Sequence, residues 1–460
     1  MGHHSKIYGM IFTHSLLIRK FFIRRGFYFV MGKNDFAPGD YVRLRLAMKE
    51  IEGNVLESSD GSVLLLKLKS GYNIGIPKEN ILAGRVLKKF KPGEEGKFEI
   101  VNDKGKKNIG LVITGGTIAA KLDSRTGGVS WLTNVNEFAK FYPEIFEMVN
   151  VKRIEVPFMT SSEAMTWEHW KKIAESCHRM LGDREISGVV VTHGTDFLHY
   201  TSAALSFMLR DLNKPVVLTY SQRSIDRASS DANLNLRCAA RLAVSDAAEV
   251  MLVGHANSDD NYCYALRGTK VRKLHTSRRD AFKPVNVGPM AKVFPDKVEW
   301  LSGYRPRNDE KVQLDVSFSD KVALVKFYPG QEPSILDYYA LKYKGIVLEV
   351  GGLGHLPVSE SPNSWIPKLK KVIREGLVVC AAPQTIFGRL DPWVYSNGRE
   401  LVDAGVIFLE DMLSESAFVK LGWVLGHYGW KTKIEEKMLE NVAGELNPRL
   451  TLEGSNGGGV

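Results

Sequence analysis

The chain has 460 residues, of which 44% are hydrophobic and 25% charged, which excludes a chain without a core and is ordinary for a soluble globular protein. That length predicts two or three domains. The formal net charge of +10 fits contact with a polyanion such as RNA, and equally fits a merely basic surface.

Ile7 to Val30 mixes apolar residues with Arg19, Lys20, Arg24 and Arg25. These charges break the run too often for a spanning helix of about 20 apolar residues. A signal peptide would need an uninterrupted apolar region and a small-residue cleavage site. Residues 1–30 are expected to be a wrongly assigned start, with true initiation at Met31, or a dispensable extension; a basic helix lying on a membrane surface is the alternative.

Tyr41-Val42-Arg43-Leu44-Arg45-Leu46 alternates apolar and charged residues, as a half-buried strand does. Glu52–Leu56 and Val63–Leu68 follow as strands around Asp60-Gly61, a hairpin turn signal. Gly71-Tyr72-Asn73-Ile74-Gly75-Ile76 reads as a fourth strand, so this region predicts a small barrel. Lys88 to Lys107 is polar and reads as a linker. From Ile109 onward strands and helices alternate. Ile109–Thr114, Gly188–Thr192, Pro215–Thr219 and Val250–Gly254 are apolar runs. Within Ser162–Leu181, the residues Met165, Trp170, Ile173, Ala174, Cys177 and Leu181 recur near helical spacing. Such alternation predicts a parallel sheet with crossover helices. Ser302–Ser319 is polar and links this lobe to a smaller α/β unit carrying Val322–Phe327, Ile346–Val350 and Val378–Ala382. Gly454-Ser455-Asn456-Gly457-Gly458-Gly459 is expected to be disordered. Cys177, Cys238, Cys263 and Cys380 form no CxxC pair, which leaves a zinc ribbon or thioredoxin-like site without support. They are expected as buried free thiols in a reducing cytoplasm.

Three stretches carry candidate chemistry. Ile113-Thr114-Gly115-Gly116-Thr117-Ile118-Ala119 follows an apolar strand, where ligands of open parallel sheets bind. Its glycines allow a sharp turn and close approach to a substrate, and its threonine offers a hydroxyl. A purely structural βα turn is the plain alternative. Val191-Thr192-His193-Gly194-Thr195-Asp196 also ends an apolar strand. There a hydroxyl beside a carboxylate can orient an attacking water or bind an ammonium, and capping of the next helix is the plain alternative. Lys270 to Arg279 is a basic run, and such runs are often solvated faces or nucleic-acid patches. A buried lysine within it could serve as a base, and composition does not choose between Lys270 and Lys273.

Thr-Gly-Gly-Thr-Ile-Ala and Thr-His-Gly-Thr-Asp resemble, in the same order, the two signatures of the L-asparaginase/glutaminase family. Asn286-Val287-Gly288-Pro289 resembles the stretch after that family's catalytic lysine. The resemblance implies Thr117 as the nucleophile, and Thr195, Asp196 and Lys273 as the second catalytic group. It implies Ser162 and Glu163 as contacts to the substrate α-carboxylate and α-amino group, with helix capping as the plain alternative for both. The implied chemistry is acyl transfer: a base activates a hydroxyl, backbone N–H groups hold the oxyanion, ammonia leaves, and water cleaves the acyl-enzyme. One departure is visible. The family carries a tyrosine on the loop after its first signature, and in Lys121–Gly128 the nearest equivalent position holds Ser124.

Gly71–Ile76, Ser224–Asp231, Glu410-Asp411-Met412-Leu413 and Lys420–Gly426 extend the resemblance. From about Phe36 to about Gly444 the chain is similar to the GatD family of archaeal glutamyl-tRNA(Gln) amidotransferases. That resemblance implies an asparaginase-like α/β fold of two parallel-sheet domains preceded by a small N-terminal β-barrel. The expected boundaries are 31–104 for an SH3-like barrel, 105–305 and 320–436 for the two asparaginase-like domains, and 437–460 for a tail. It implies ammonia release from glutamine or asparagine, for conversion of Glu-tRNA(Gln) to Gln-tRNA(Gln). It also implies a partner protein, GatE, that uses ATP and Mg, and a homodimer core. The chain contains no G-x-x-x-x-G-K-[ST] phosphate loop and no H-E-x-x-H motif, so no cofactor is expected here. A cytoplasmic protein away from any membrane is expected. A free-standing asparaginase is the rival reading.

Overall fold

Alternation in Tyr41–Arg45 buries Val42 and Leu44 completely while Arg45 faces out. The computed structural model describes residues 36–56, 58, 60–68, 73–90, 103–122, 129–131, 138–139, 141–225 and 229–450. The extension 1–30, Gly71 and Tyr72, the loop position Ser124, Asp226-Arg227-Ala228 and the stretch Gly454–Gly459 lie outside the described residues. The chain divides into two units near residue 94. The first holds an antiparallel sheet in the order Asn73–Pro77, Val63–Leu68, Glu50–Leu56, Tyr41–Arg45, Ala83–Lys88. Its core is Val42, Leu44, Val55, Leu64, Leu66 and Ile76. The Asp60 turn is set by its own carboxylate, which accepts the Ser62 N–H at 2.8 Å. Ala83–Lys88 is a strand the apolar pattern does not announce, because four of its residues are exposed.

The second unit is built on an eight-stranded sheet. Its order is Val298–Trp300, Ala291–Val293, Cys263–Arg267, Val250–His255, Val216–Thr219, Ile186–Thr192, Asn108–Ile113, Asn150–Glu155. The last five run parallel and the first three antiparallel. Val189 and Val191 enter the cluster containing Trp167–Leu181 and Leu198–Met208, while Val190 enters the one containing Ala232–Ala243. Burial on both faces explains the continuous apolar run. In Trp167–Leu181 the buried face is Trp170, Ile173, Ala174, Cys177, Met180 and Leu181, with Ser176. Each large apolar side chain so buried contributes about 2 kcal/mol. The four cysteines are buried and unpaired.

A smaller sheet follows, all parallel, in the order Val322–Lys326, Gly345–Val350, Val378–Pro383, Ile407–Phe408. Within the expected linker, Gln313–Leu314 pairs with Leu209–Arg210 of the larger lobe. Helix Ser414–Gly426 joins the lobes: its Ala417, Leu421 and Trp423 share one core cluster with Phe207 of the larger lobe and Val347 of the smaller.

Candidate active site

Strands Asn108–Ile113 and Ile186–Thr192 are neighbours in the large sheet, and both expected signatures leave their carboxyl ends. After the first, Gly115 and Gly116 take φ of 115° and 78°, the left-handed region that favours glycine. A Cβ on Gly116 would run into the backbone of Gly194, and one on Gly115 into that of Thr160. Thr117 then opens a short 3-10 turn, Thr117–Ala119. Gly116 therefore lies against Gly194, and each is followed by one of the two candidate threonines. Ser162 also stands against Gly194, and its hydroxyl accepts the Phe197 N–H at 3.4 Å. The three loops thus form one packed rim.

Lys273 reaches that rim from the short strand Val271–Lys273. Its Nζ donates to Thr195 Oγ1 at 2.9 Å and to Asp196 Oδ1 at 2.6 Å. The lysine side chain is 9% exposed and the aspartate 60%, so the pair is anchored on one side and open on the other. Thr195 and Asp196 do not cap the following helix, Leu198–Met208, which carries no side-chain cap. Likewise Trp167–Leu181 is capped by Thr166, whose partner in the capping box is His169, and not by Ser162 or Glu163. Those two residues begin a separate 3-10 turn, Ser162–Ala164. They line a cavity of about 550 Å³ with Met165, Trp167, Phe197 and Tyr200.

Of the two lysines open in the sequence, Lys270 goes elsewhere. It is fully buried and donates to Asp411 Oδ2 at 2.6 Å. Burial pushes its ammonium down despite that carboxylate.

His193 is a site residue that motif reading passes over. It is fully buried, its Nδ1 lies 2.7 Å from the Gly194 carbonyl, and its Nε2 lies 2.9 Å from Thr201 Oγ1. A carbonyl only accepts, so Nδ1 carries the proton and Nε2 accepts the Thr201 hydroxyl. Burial pushes the imidazole down to about 4, which keeps it neutral near pH 7. It holds the turn that presents Thr195. The only hint in the sequence is its place inside the second signature.

Among the described residues, no cluster of three or more His, Cys, Asp or Glu could hold a metal ion, and no helix is long and apolar enough to cross a membrane.

Family models match along most of the chain: "GatD N-terminal domain" on residues 36–87, "Asparaginase, N-terminal" on 108–305, and "Glutaminase/Asparaginase C-terminal domain" on 321–438. The GatD component of the glutamyl-tRNA(Gln) amidotransferase of Pyrococcus abyssi is 48% identical, over 89% of this chain and 95% of its own. That of Thermococcus kodakarensis is 46% identical, over 91% and 96%. Among solved structures, the thermostable L-asparaginase from Thermococcus kodakarensis superposes with a TM-score of 0.67 at 30% identity, covering 74% of this chain and 100% of that one.

Proposed function

The chain belongs to the GatD family of glutamyl-tRNA(Gln) amidotransferases, and from that premise we propose that it is the ammonia-releasing component that serves Gln-tRNA(Gln) formation. Its substrate is the side-chain amide of glutamine or asparagine. Thr117 attacks the amide carbon through its hydroxyl, and the proton passes to the group formed by Thr195, Asp196 and Lys273. Backbone N–H groups of the glycine turn receive the oxyanion, which removing one donor would weaken by about 3 kcal/mol. Ammonia leaves with a proton, and water cleaves the acyl-enzyme. Ser162 and Glu163 hold the α-carboxylate and α-amino group of the amino acid. A partner protein, GatE, uses ATP and Mg to activate the tRNA-bound glutamate and receives the ammonia. The chain pairs with a second copy of itself and works in the cytoplasm.

The observation that carries this reading is Lys273 Nζ within hydrogen-bond distance of both Thr195 Oγ1 and Asp196 Oδ1. A "GatD N-terminal domain" on residues 36–87 favours it over a free-standing L-asparaginase. The test is glutamine hydrolysis by the chain alone, with GatE, and with GatE plus Glu-tRNA(Gln). Strong stimulation by the last mixture is expected. Full, tRNA-indifferent asparaginase activity of the chain alone would replace this reading with the rival one.

A further inference from the structure

Lys273 ends a short strand. Among the described residues its strand, Val271–Lys273, pairs with Phe282–Pro284 alone, in a two-stranded sheet separate from the large one. A two-stranded ribbon is marginal by itself, and this one is held to the core through the buried Val271 and Phe282, which fix its backbone and leave the aim of its polar side chains open. Yet Lys273 Nζ must meet two acceptors at once, and misplacing a reacting group by 1 Å can cost roughly a hundredfold in rate. Something outside the ribbon has to hold it.

The smaller lobe does so through the segment 410–416, whose Glu410-Asp411-Met412-Leu413 start the catalytic reading leaves unused. Ser416 Oγ donates to the Thr269 carbonyl at 2.8 Å. Asp411 takes Lys270 at 2.6 Å. Glu415 Oε1 takes Arg272 Nε at 2.9 Å. Arg272 is the residue next to Lys273, and neighbours on a strand point to opposite faces. Pinning Arg272 toward Glu415 therefore turns Lys273 toward Thr195.

Glu415 reaches two further elements. Its Oε1 is 3.8 Å from His199 Nε2, and His199 lies on the helix that follows Asp196. Its Oε2 is 3.3 Å from Ser414 Oγ, which donates to Glu349 Oε1 at 2.6 Å, in strand Gly345–Val350 of the smaller sheet. Both carboxylates are nearly buried, and their packing leaves little room for either to reorient. Burial pushes the Glu415 carboxyl up and the Arg272 charge opposes that.

We infer that Glu415 is a positioning residue for Lys273, acting through Arg272 and anchored by Ser414 and Glu349. This rests on the catalytic reading of Lys273. Glu415 touches neither substrate nor the reacting atoms, so its loss lowers turnover rather than substrate binding.

The experiment measures glutamine hydrolysis by the full-length chain together with GatE. Glu415→Gln, which keeps the volume and removes the charge, is expected to lower kcat by roughly 10- to 100-fold with KM within about twofold. Arg272→Gln is expected to do the same, and the double variant to lose no more than either single one. Arg272→Lys, which keeps the charge, is expected to recover part of the loss. Arg272 is 29% exposed, so its variants keep the test alive if Glu415→Gln does not fold. A parental kcat in Glu415→Gln, a rise in KM alone, or multiplying losses in the double variant would overturn the inference. Lys273→Ala is run beside them. If it stays active, the catalytic reading fails; if it is inactive while Glu415→Gln is fully active, only the positioning role fails.

Discussion

Two lysine–aspartate pairs leave the same short stretch of chain, and both measure 2.6 Å. Lys270–Asp411 lies between the lobes with both side chains at 0% exposure, whereas Asp196 of the Lys273 pair is 60% exposed. Asp411 is further satisfied by Asn447, through its N–H at 2.9 Å and its Nδ2 at 2.6 Å. Distance therefore does not mark the pair proposed to react. Access does: only the open pair can exchange a partner with a ligand, and the closed one can only hold the lobes together.

The sharpest way to break this comparison is at the open pair and its neighbour. Thr117→Ala is expected to lower kcat for glutamine hydrolysis by roughly a millionfold, as loss of a nucleophile does elsewhere. Lys273→Ala should lower it by roughly 10²- to 10⁴-fold. Neither should move the urea unfolding midpoint appreciably, because Asp196 remains solvated. Steady-state kinetics and urea denaturation check both, and a large loss of stability in Lys273→Ala would erase the distinction between the pairs.

The closed pair is expected to answer in the other currency. Lys270→Ala leaves a buried carboxylate without its cation, which costs about 3–5 kcal/mol of stability. The same urea titration measures it. A variant that unfolds like the parent would show that Asn447 alone satisfies Asp411.

Acid should weaken the fold through the site's two buried imidazoles. Burial holds His193 down to about 4 and His199 down to about 3, against an ordinary 6.5. The unfolded chain takes up protons that the fold refuses, so the unfolded state binds more protons between those values. Stability from these residues is full above pH 6.5 and falls as pH drops toward 4 and 3, by about 1.4 kcal/mol per pH unit for each histidine. Urea midpoints at pH 7 and pH 5 test this. His193→Gln should flatten the slope, and an unchanged slope would put the acid sensitivity elsewhere.

How much of this was legible depends on where each residue's partner lies. Strands such as Ile186–Thr192 declare themselves because both faces are buried, and Trp167–Leu181 because its buried face recurs at helical spacing. Asn150–Glu155, at the sheet edge, shows no such run, because Lys152 and Arg153 are exposed. Thr117, Thr195 and Asp196 were readable as strand-end hydroxyls and a carboxylate, since motif and strand are contiguous in the chain. The choice between Lys270 and Lys273 was not readable from composition, since Asp411 comes from the other lobe. Glu415 was invisible for the same reason: its meaning rests on Arg272, which it meets only after both lobes fold.

A third pair tests whether exposure alone sets the scale. Arg179 donates to Glu155 Oε2 at 2.6 Å, a length equal to that of the two lysine pairs, with its own side chain 49% exposed and that of Glu155 16%. Burial pushes the Glu155 carboxyl up, but the hydrogen bonds from Arg179 and Ser176 and the charges of Arg179 and Arg153 outweigh it, leaving it below the ordinary carboxylate value. Glu155 keeps Arg153 at 2.7 Å when Arg179 is removed. Arg179→Ala should therefore cost less than about 1 kcal/mol, and the cost should shrink further in high salt. Urea denaturation at low and high ionic strength measures it. A cost like that of Lys270→Ala would mean that geometry, and not burial, ranks the ion pairs of this molecule.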